Sequence, residues 1–277
     1  MISRAAALAA ASVGAALAHR MLWYEPRRGV VRRHTLALPR WPAELVGLRV
    51  ALISDLHAGA PHVDEACIAA LVARANREAA DLVVLLGDFV DEEVAGARPV
   101  APEAVARALG RLHPRLGTVA VLGNHDWRTD GERVARALRA NAITVLENDA
   151  IAVGDGRHRL WIAGVADATE RHADVDAALR CVDADQPVIL LSHHPDVFPR
   201  VPARVALTLA GHTHGGQVAI PLLRRLVIPS RFGERFVAGP VVEDGRHLWV
   251  TSGVGTSGWP IRFLAPPEIV VLTLMAR

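Results

Sequence analysis

The segment Leu48–Asp88 indicates the fold class. It contains the apolar run LRVALIS (48–54), the amphipathic run DEACIAALVARANREA (64–79) and the apolar run DLVVLLGD (81–88). Apolar residues at helical spacing between two continuous apolar runs predict a strand, a helix and a second strand. Strands without polar alternation are typical of sheets that are covered on both faces. The segment therefore predicts an α/β architecture.

The same alternation continues along the chain. The predicted elements up to residue 149 are the helix PEAVARALGRL (102–112), the strand TVAVLGNHD (118–126), the helix GERVARALRA (131–140) and the strand ITVLEND (143–149). Those that follow are a hairpin of AIAVGDG (150–156) and HRLWIAGVAD (158–167), the short helix DVDAALRCV (174–182), the strands PVILLSHH (187–194) and VALTLAGHTH (205–214), a hairpin of VVEDG (241–245) and RHLWVTSG (246–253), and the strand EIVVLTLMA (268–276). This order predicts one α/β domain with two sheets.

Composition describes a folded chain without a strong charge bias. Of its 277 residues, 51% are hydrophobic and 22% are charged, which excludes a disordered protein. The formal net charge of +2 gives no argument for specific nucleic-acid binding. All 31 basic residues are arginine, a compositional bias that lowers the weight of any single arginine as a functional signal.

The N-terminal segment differs from the rest. The run AAALAAASVGAALA (5–18) is uncharged and follows Arg4, as in a signal peptide or a short signal anchor, whereas an Ala-rich soluble helix is the alternative. Arginines downstream of the run favour a cytoplasmic domain, but the side of the membrane stays open. We divide the chain into an anchor-like segment (1–23), a basic connector with an edge strand at HTLALP (24–46), and a catalytic domain (47–277).

Polar residues follow five of the predicted strands. They are Asp55 and His57, Asp88, Asn124 with His125 and Asp126, His193 with His194, and His212 with His214. Each group alone is more often a turn or a helix cap than a functional site. Because ligands bind at the carboxyl ends of strands in open α/β sheets, five groups together predict one site.

The residue types indicate divalent metals. Asp, His and Asn are ligands for manganese, iron or zinc, and these candidates exceed what one ion can coordinate. We therefore predict two ions that share one carboxylate, for which Asp88 is the natural choice. Two such ions would lower the pKa of a bound water, clamp the oxygens of an in-line displacement and suit an anionic phosphate.

The motifs DLH, GDFVD, GNHD, SHHPD and GHTHGGQ, in this order, closely resemble those of the calcineurin-like metallophosphoesterases. The segments YEP, HTLALP and IRFLAPPEIVVLTL resemble a bacterial subgroup that often carries a membrane anchor or an export signal. The resemblance implies a four-layer α/β/β/α sandwich of two mixed sheets. It also implies a metal-dependent phosphoric ester hydrolase.

The resemblance further implies a role for each site residue. One metal is held by Asp55, His57, Asp88 and His214, and the other by Asp88, Asn124, His193 and His212. His125 stabilises the phosphoryl oxygens or protonates the leaving group, and Asp126 orients it. His193 is preferred to His194 as a ligand because the family pattern is His-x-Pro-Asp, which leaves His194 as a supporting or surface group.

The substrate is left open by the motifs. A bridging hydroxide could attack a phosphodiester, a phosphomonoester or a pyrophosphate, including a lipid-linked one such as UDP-2,3-diacylglucosamine. The alternative is a catalytically inactive scaffold that binds a partner protein or a membrane. The Arg-rich stretch from Pro221 to Arg235 is either a contact with lipid headgroups or a capping loop with solvated arginines.

Overall fold

The computed structural model describes residues 4–220 and 224–277. The strands are β1 (Val30–Leu38), β2 (Leu48–Ile53), β3 (Leu82–Leu86), β4 (Thr118–Val121), β5 (Ile143–Val145), β6 (Asp149–Val153), β7 (Leu160–Gly164), β8 (Val188–Leu191), β9 (Leu207–Ala210), β10 (Gly239–Glu243), β11 (Arg246–Val250) and β12 (Glu268–Ala276). The helices are α1 (Arg4–His19), α2 (Glu25–Arg27), α3 (Glu65–Arg77), α4 (Pro102–Leu109), α5 (Asn124–Arg139) and α6 (Val175–Ala178).

The strands form two mixed six-stranded sheets, as predicted. The first sheet has the order β1-β12-β2-β3-β4-β5, in which only the β12–β2 pair is antiparallel. The second has the order β10-β11-β9-β8-β7-β6, with antiparallel pairs at both edges and parallel strands between them. All of HTLALP except its final Pro39 falls within β1, which is an edge strand of the first sheet.

Alternate residues of the buried strands serve two different cores. In β3, Leu82, Val84 and Leu86 pack between the two sheets, whereas Val83 and Leu85 face the helices. Helices α3, α4 and α5 cover the first sheet on that outer side, and α6 with neighbouring loops covers the second sheet. The result is the expected α/β/β/α sandwich.

Helix α5 begins earlier than the sequence predicts. The predicted strand 118–126 ends at Val121, and the helix starts at Asn124 rather than at residue 131. The Asp126 carboxylate accepts a hydrogen bond from the Gly123 N–H, which caps the first turn. The backbone is not helical at Asp130, so the first turns are offset from the amphipathic part. This start places Asn124 and His125 in a rigid first turn.

The N-terminal helix lies outside the sandwich. α1 continues through a π-helical turn (Arg20–Tyr24) into α2, so that Arg4–Arg27 forms one helical stretch. This stretch is long and apolar enough to cross a membrane, and its apolar window is not buried against the rest of the protein. The helix contacts the sandwich at its C-terminal end, where Glu25 and Pro26 are buried.

Truncation of the inter-sheet core tests this architecture. Leu82→Ala removes a fully buried side chain between the sheets, and we expect the free energy of unfolding to fall by about 2–5 kcal/mol. Urea unfolding in detergent, followed by circular dichroism, measures the change. Val242→Ala on β10, where the side chain is 59% exposed, is the control and should shift stability by no more than about 0.5 kcal/mol. Equal losses in the two variants would contradict the layer assignment.

Candidate metal centre

The five predicted groups meet at one edge of the molecule. The segments after β2, β3 and β4 come from the first sheet, and those after β8 and β9 come from the second. Contacts cross between the sheets, since His57 faces His214 and Asp88 faces His193. The site is therefore built by the carboxyl ends of both sheets together.

Five of the seven predicted ligands have left-handed backbone conformations. This group, with φ between 46° and 70°, consists of Asp55, His57, Asp88, His212 and His214. Residues other than glycine rarely adopt positive φ, and Asp and His are among those that tolerate it best. Each strand therefore ends in a sharp turn that aims its side chain at the site. Concentrated backbone strain of this kind is typical of functional sites.

One cluster brings together the candidates for the first metal. His57 Nε2 lies 3.1 Å from His214 Nε2 and 3.4 Å from Asp88 Oδ2. His214 Nε2 lies 3.5 Å from Asp55 Oδ1. All four side chains are buried.

A second cluster adjoins it and brings together the remaining candidates. His193 Nε2 lies 3.2 Å from Asp88 Oδ2, 3.2 Å from Asn124 Oδ1 and 3.1 Å from His212 Nδ1. Asp88 Oδ2 is thus close to both clusters. Its other oxygen accepts a hydrogen bond from the His125 N–H.

The donor spacing fits transition-metal ions. Bonds of about 2.0–2.2 Å to four or more ligands separate neighbouring ligand atoms by about 3.0–3.5 Å. The distances within each cluster fall in this range. Nitrogen and oxygen donors in this mixture suit zinc, manganese or iron.

Outer hydrogen bonds leave the inward nitrogens of three histidines free to bind a metal. His57 Nδ1 donates to Asp91 Oδ2 at 2.6 Å, and His193 Nδ1 donates to the Leu86 carbonyl at 2.6 Å. His212 Nε2 donates to the Pro229 carbonyl at 2.9 Å. Because a neutral imidazole carries one proton, an outward N–H leaves an unshared electron pair on the other nitrogen.

Charge at the site also favours cations. Burial raises the pKa of Asp55, because its carboxylate is fully enclosed in the protein. Burial and the neighbouring His194 hold the pKa of His212 well below its usual range, and burial with His57 does the same for His214. Burial alone would lower the pKa of His193, but the neighbouring Asp88 carboxylate raises it to about 10. Buried carboxylates that stabilise a positive charge on this ring also favour a divalent cation in its place.

His125 and Asp126 are not partners, contrary to the prediction. The Asp126 carboxylate accepts backbone N–H groups of Asp88, Phe89 and Gly123 at 2.7–2.9 Å, and so ties two ligand-bearing loops together. His125 Nδ1 instead faces Asp91 Oδ1 at 3.2 Å. Although burial raises the pKa of Asp91, hydrogen bonds from His125 and His57 hold it well below its usual range.

Several glycines are needed because the ligands approach their backbone closely, and Gly211 and Gly123 are two of them. A Cβ on Gly211 would overlap Ser54 Oγ and lie 2.6 Å from Asp55 Oδ2. A Cβ on Gly123 would overlap Asp88 Oδ1. The first glycine of GHTHGGQ therefore permits the two sheets to meet at the site.

The structure adds three residues to the surroundings of the site. Asp167 Oδ2 lies 3.2 Å from Nε2 of His194, whose ring stacks on His212 at 3.6 Å, so His194 is not a surface group. Asp167 ends an apolar run, the same signal that marked the other groups. Arg262 is fully buried, with Nη2 3.5 Å from His214 Nδ1, and the arginine bias of the sequence hid it. Asp91 contacts both His57 and His125.

The Arg-rich stretch caps the site, and its residues 221–223 lie outside the described part of the chain. Arg224 and Arg225 both face Glu234, Arg231 faces Asp196, and Arg235 pairs with Glu243. Its Pro229 carbonyl accepts the His212 ring N–H. These contacts favour the capping interpretation over binding of lipid headgroups.

Comparison with known proteins agrees with the motifs. A family model described as calcineurin-like phosphoesterase matches residues 48–216. A metallophosphoesterase from Aquifex aeolicus is 30% identical over 255 residues, covering 89% of this chain and 92% of the relative. Phosphodiesterase YaeI from Escherichia coli is 29% identical over 261 residues, covering 92% of each protein.

A vertebrate relative is longer. A transmembrane protein with a metallophosphoesterase domain from Danio rerio is 32% identical over 253 residues, covering 86% of this chain. The chain spans 56% of that relative's length.

Substitution of Gly211 tests the close approach of the two sheets at the site. We expect Gly211→Ala to lose most bound transition metal, because its Cβ displaces Ser54 and Asp55. Mass spectrometry of bound metal, with circular dichroism to confirm folding, measures this. Gly29→Ala is the control, since its Cβ meets only Arg74 Nη1 at 3.7 Å. A folded Gly211→Ala protein with full metal content would contradict the described geometry.

Proposed function

The chain belongs to the calcineurin-like phosphoesterase family and is a metal-dependent phosphoric ester hydrolase, and we propose that it works with two divalent ions. Asp55, His57, Asp88 and His214 would hold one ion. Asp88, Asn124, His193 and His212 would hold the other. The observation that carries this proposal is the position of Asp88 Oδ2, 3.4 Å from His57 Nε2 and 3.2 Å from His193 Nε2.

The protein's own groups would orient the substrate. When bound, the two ions would supply Lewis acidity, lowering the pKa of a water and neutralising the phosphoryl oxygens. His125 lies beside the clusters and lines the cleft above them, where its ring can donate a proton to a phosphoryl oxygen or to the leaving group. Asp91 supports this role, because it faces His125 Nδ1 and leaves Nε2 available to the substrate.

The cleft indicates the kind of substrate. It has a volume of about 700 Å³. Its wall carries the basic residues Arg128 and Arg231, the acidic residues Glu93 and Asp196, and the apolar residues Val227, Trp259 and Ile261. A phosphate ester with an apolar portion fits this mixture, and YaeI is named as a phosphodiesterase. We propose a phosphodiester or pyrophosphate substrate of the lipid-linked class, for which UDP-2,3-diacylglucosamine is one candidate.

We also propose that the N-terminal helix holds the enzyme at a membrane. The apolar window of the helical stretch Arg4–Arg27 is not buried against the rest of the protein, and the Danio rerio relative is named as a transmembrane protein. In this proposal residues 1–23 anchor the chain, 24–46 connect it and add an edge strand, and 47–277 form the catalytic domain.

A substrate screen tests the activity. The metal-loaded full chain is assayed against phosphomonoesters, phosphodiesters, nucleotide pyrophosphates and lipid-linked pyrophosphates. Hydrolysis of the last group or of diesters supports the proposal, whereas turnover of monoesters alone contradicts it. Metal content separates an enzyme from an inactive scaffold, since a scaffold would bind no ions.

Loss of the shared carboxylate should remove both ions. We expect about two transition ions per chain in the unsubstituted protein. Asp55→Ala and His193→Ala each leave one cluster complete, so each should keep more metal than Asp88→Asn. Mass spectrometry after dialysis gives the count. Asp185→Asn, at an exposed carboxylate away from the site, is the control. Equal metal contents in Asp88→Asn and Asp55→Ala would exclude a shared ligand.

Removal of the His125 ring should reduce turnover according to the leaving group. We expect His125→Ala to lose about 10²–10⁴-fold in kcat with an alkyl ester and much less with a 4-nitrophenyl ester, which needs little protonation. Metal content should stay unchanged. His113→Ala, at an exposed histidine, is the matched control. Full turnover of the alkyl ester by the His125 variant would exclude proton donation by this residue.

A further inference from the structure

The loop Ser257–Leu264, which we call the rim loop, presents large apolar side chains to solvent. Trp259 is 71% exposed and Leu264 is 53% exposed. Trp259 and Ile261 also line the catalytic cleft. Leu264 has φ of 59°, a conformation that bulky residues rarely adopt, so the loop holds this side chain outward against a backbone cost.

The rim loop contacts the C-terminal end of the N-terminal helix. The Arg262 N–H donates to the Met21 carbonyl at 3.0 Å, and the Arg20 guanidinium lies over the Phe263 ring at 5.1 Å. Arg20 also pairs with Glu25, which is buried. The loop therefore lies at the level where the apolar helix meets the protein.

The same loop is rigidly attached to the metal centre. The Arg262 side chain is buried and donates to the carbonyls of Ser252, Gly255 and Ala265. The Gln217 side chain, at the end of GHTHGGQ, donates to the Ser257 and Trp259 carbonyls and accepts the Ser257 N–H. The hydrogen bonds of Arg262 and Gln217 hold the rim loop in place. The end of the helix, the wall of the cleft and the metal centre therefore keep a fixed orientation relative to one another.

The surrounding side chains suit a lipid headgroup region. Trp23 and Tyr24 are exposed at the end of the helix, and the Arg27 guanidinium stacks on Trp23 at 3.4 Å from its ring. Aromatic residues favour the membrane–water interface, and nearby arginines attract anionic headgroups. Transfer of the exposed tryptophan and leucine side chains from water into this region would lower the free energy.

We infer that the rim loop enters the membrane interface beside the N-terminal helix, so that the catalytic cleft opens towards the lipid surface. This inference rests on the proposed membrane attachment, and it assigns the second contact to residues 257–264 instead of the Arg-rich loop. A phosphate ester in the bilayer would then reach the metal centre past Trp259 without leaving its apolar portion in water.

A depth measurement on the full chain tests the inference. The two native cysteines, Cys67 and Cys181, are replaced by serine, and Trp259→Cys is labelled with an environment-sensitive nitrobenzoxadiazole fluorophore. The protein is reconstituted into vesicles of phosphatidylcholine and phosphatidylglycerol (3:1). We expect a blue shift of the emission and quenching by spin-labelled lipid. Leu264→Cys serves as a second reporter if the first variant does not fold.

Val46→Cys is the matched control. Val46 is also apolar and 42% exposed, but it precedes β2 and so lies at the opposite end of the sheet from the site. Its label should stay accessible to aqueous iodide. Equal iodide quenching at 259 and 46 in a chain that floats with vesicles would overturn the inference alone. A chain that does not float would overturn both the inference and the membrane attachment, whereas metal content and turnover test the catalytic proposal separately.

Discussion

The Asp88 carboxylate is the contact on which the site depends. It is buried at the end of a central strand, with one oxygen between two groups of nitrogen ligands and the other bonded to the first turn of α5. A buried carboxylate is costly unless opposite charge or donors surround it. Both sheets place such groups around the Asp88 carboxylate, because one sheet supplies His57 and the other supplies His193.

The residues around the ligands are as specific as the ligands themselves. In three of the ligand histidines, an outward-facing ring N–H donates a hydrogen bond to Asp91, to the Leu86 carbonyl or to the Pro229 carbonyl. These hydrogen bonds determine which ring nitrogen faces the metal centre. Asp126 accepts backbone amides from two loops, and its enclosed position beside Asp88 raises its pKa to about 7. The Arg-rich stretch contributes a backbone carbonyl group to the metal centre, and its arginine side chains form surface ion pairs instead.

Most of the fold and the convergence of the site residues could be predicted from the sequence. Continuous apolar strands and helical periodicity are local signals, and polar residues at strand ends follow from the topology of parallel sheets. The start of α5 could not be predicted, because it depends on the Asp126 cap rather than on periodicity. The partner of His125 and the buried position of Arg262 arise from contacts between distant segments. Residue identity carries no signal for such contacts.

The order of strands in the first sheet has a consequence for biosynthesis. β12 lies between β1 and β2, and it pairs Glu268 with Val30 from the other end of the sequence. While the ribosome is still making the intervening chain, β1 and β2 have exposed edges and no common neighbour. Such long-range pairing delays completion of the sheet until residues 268–276 emerge. The nascent chain would therefore depend on protection from aggregation until translation is nearly finished.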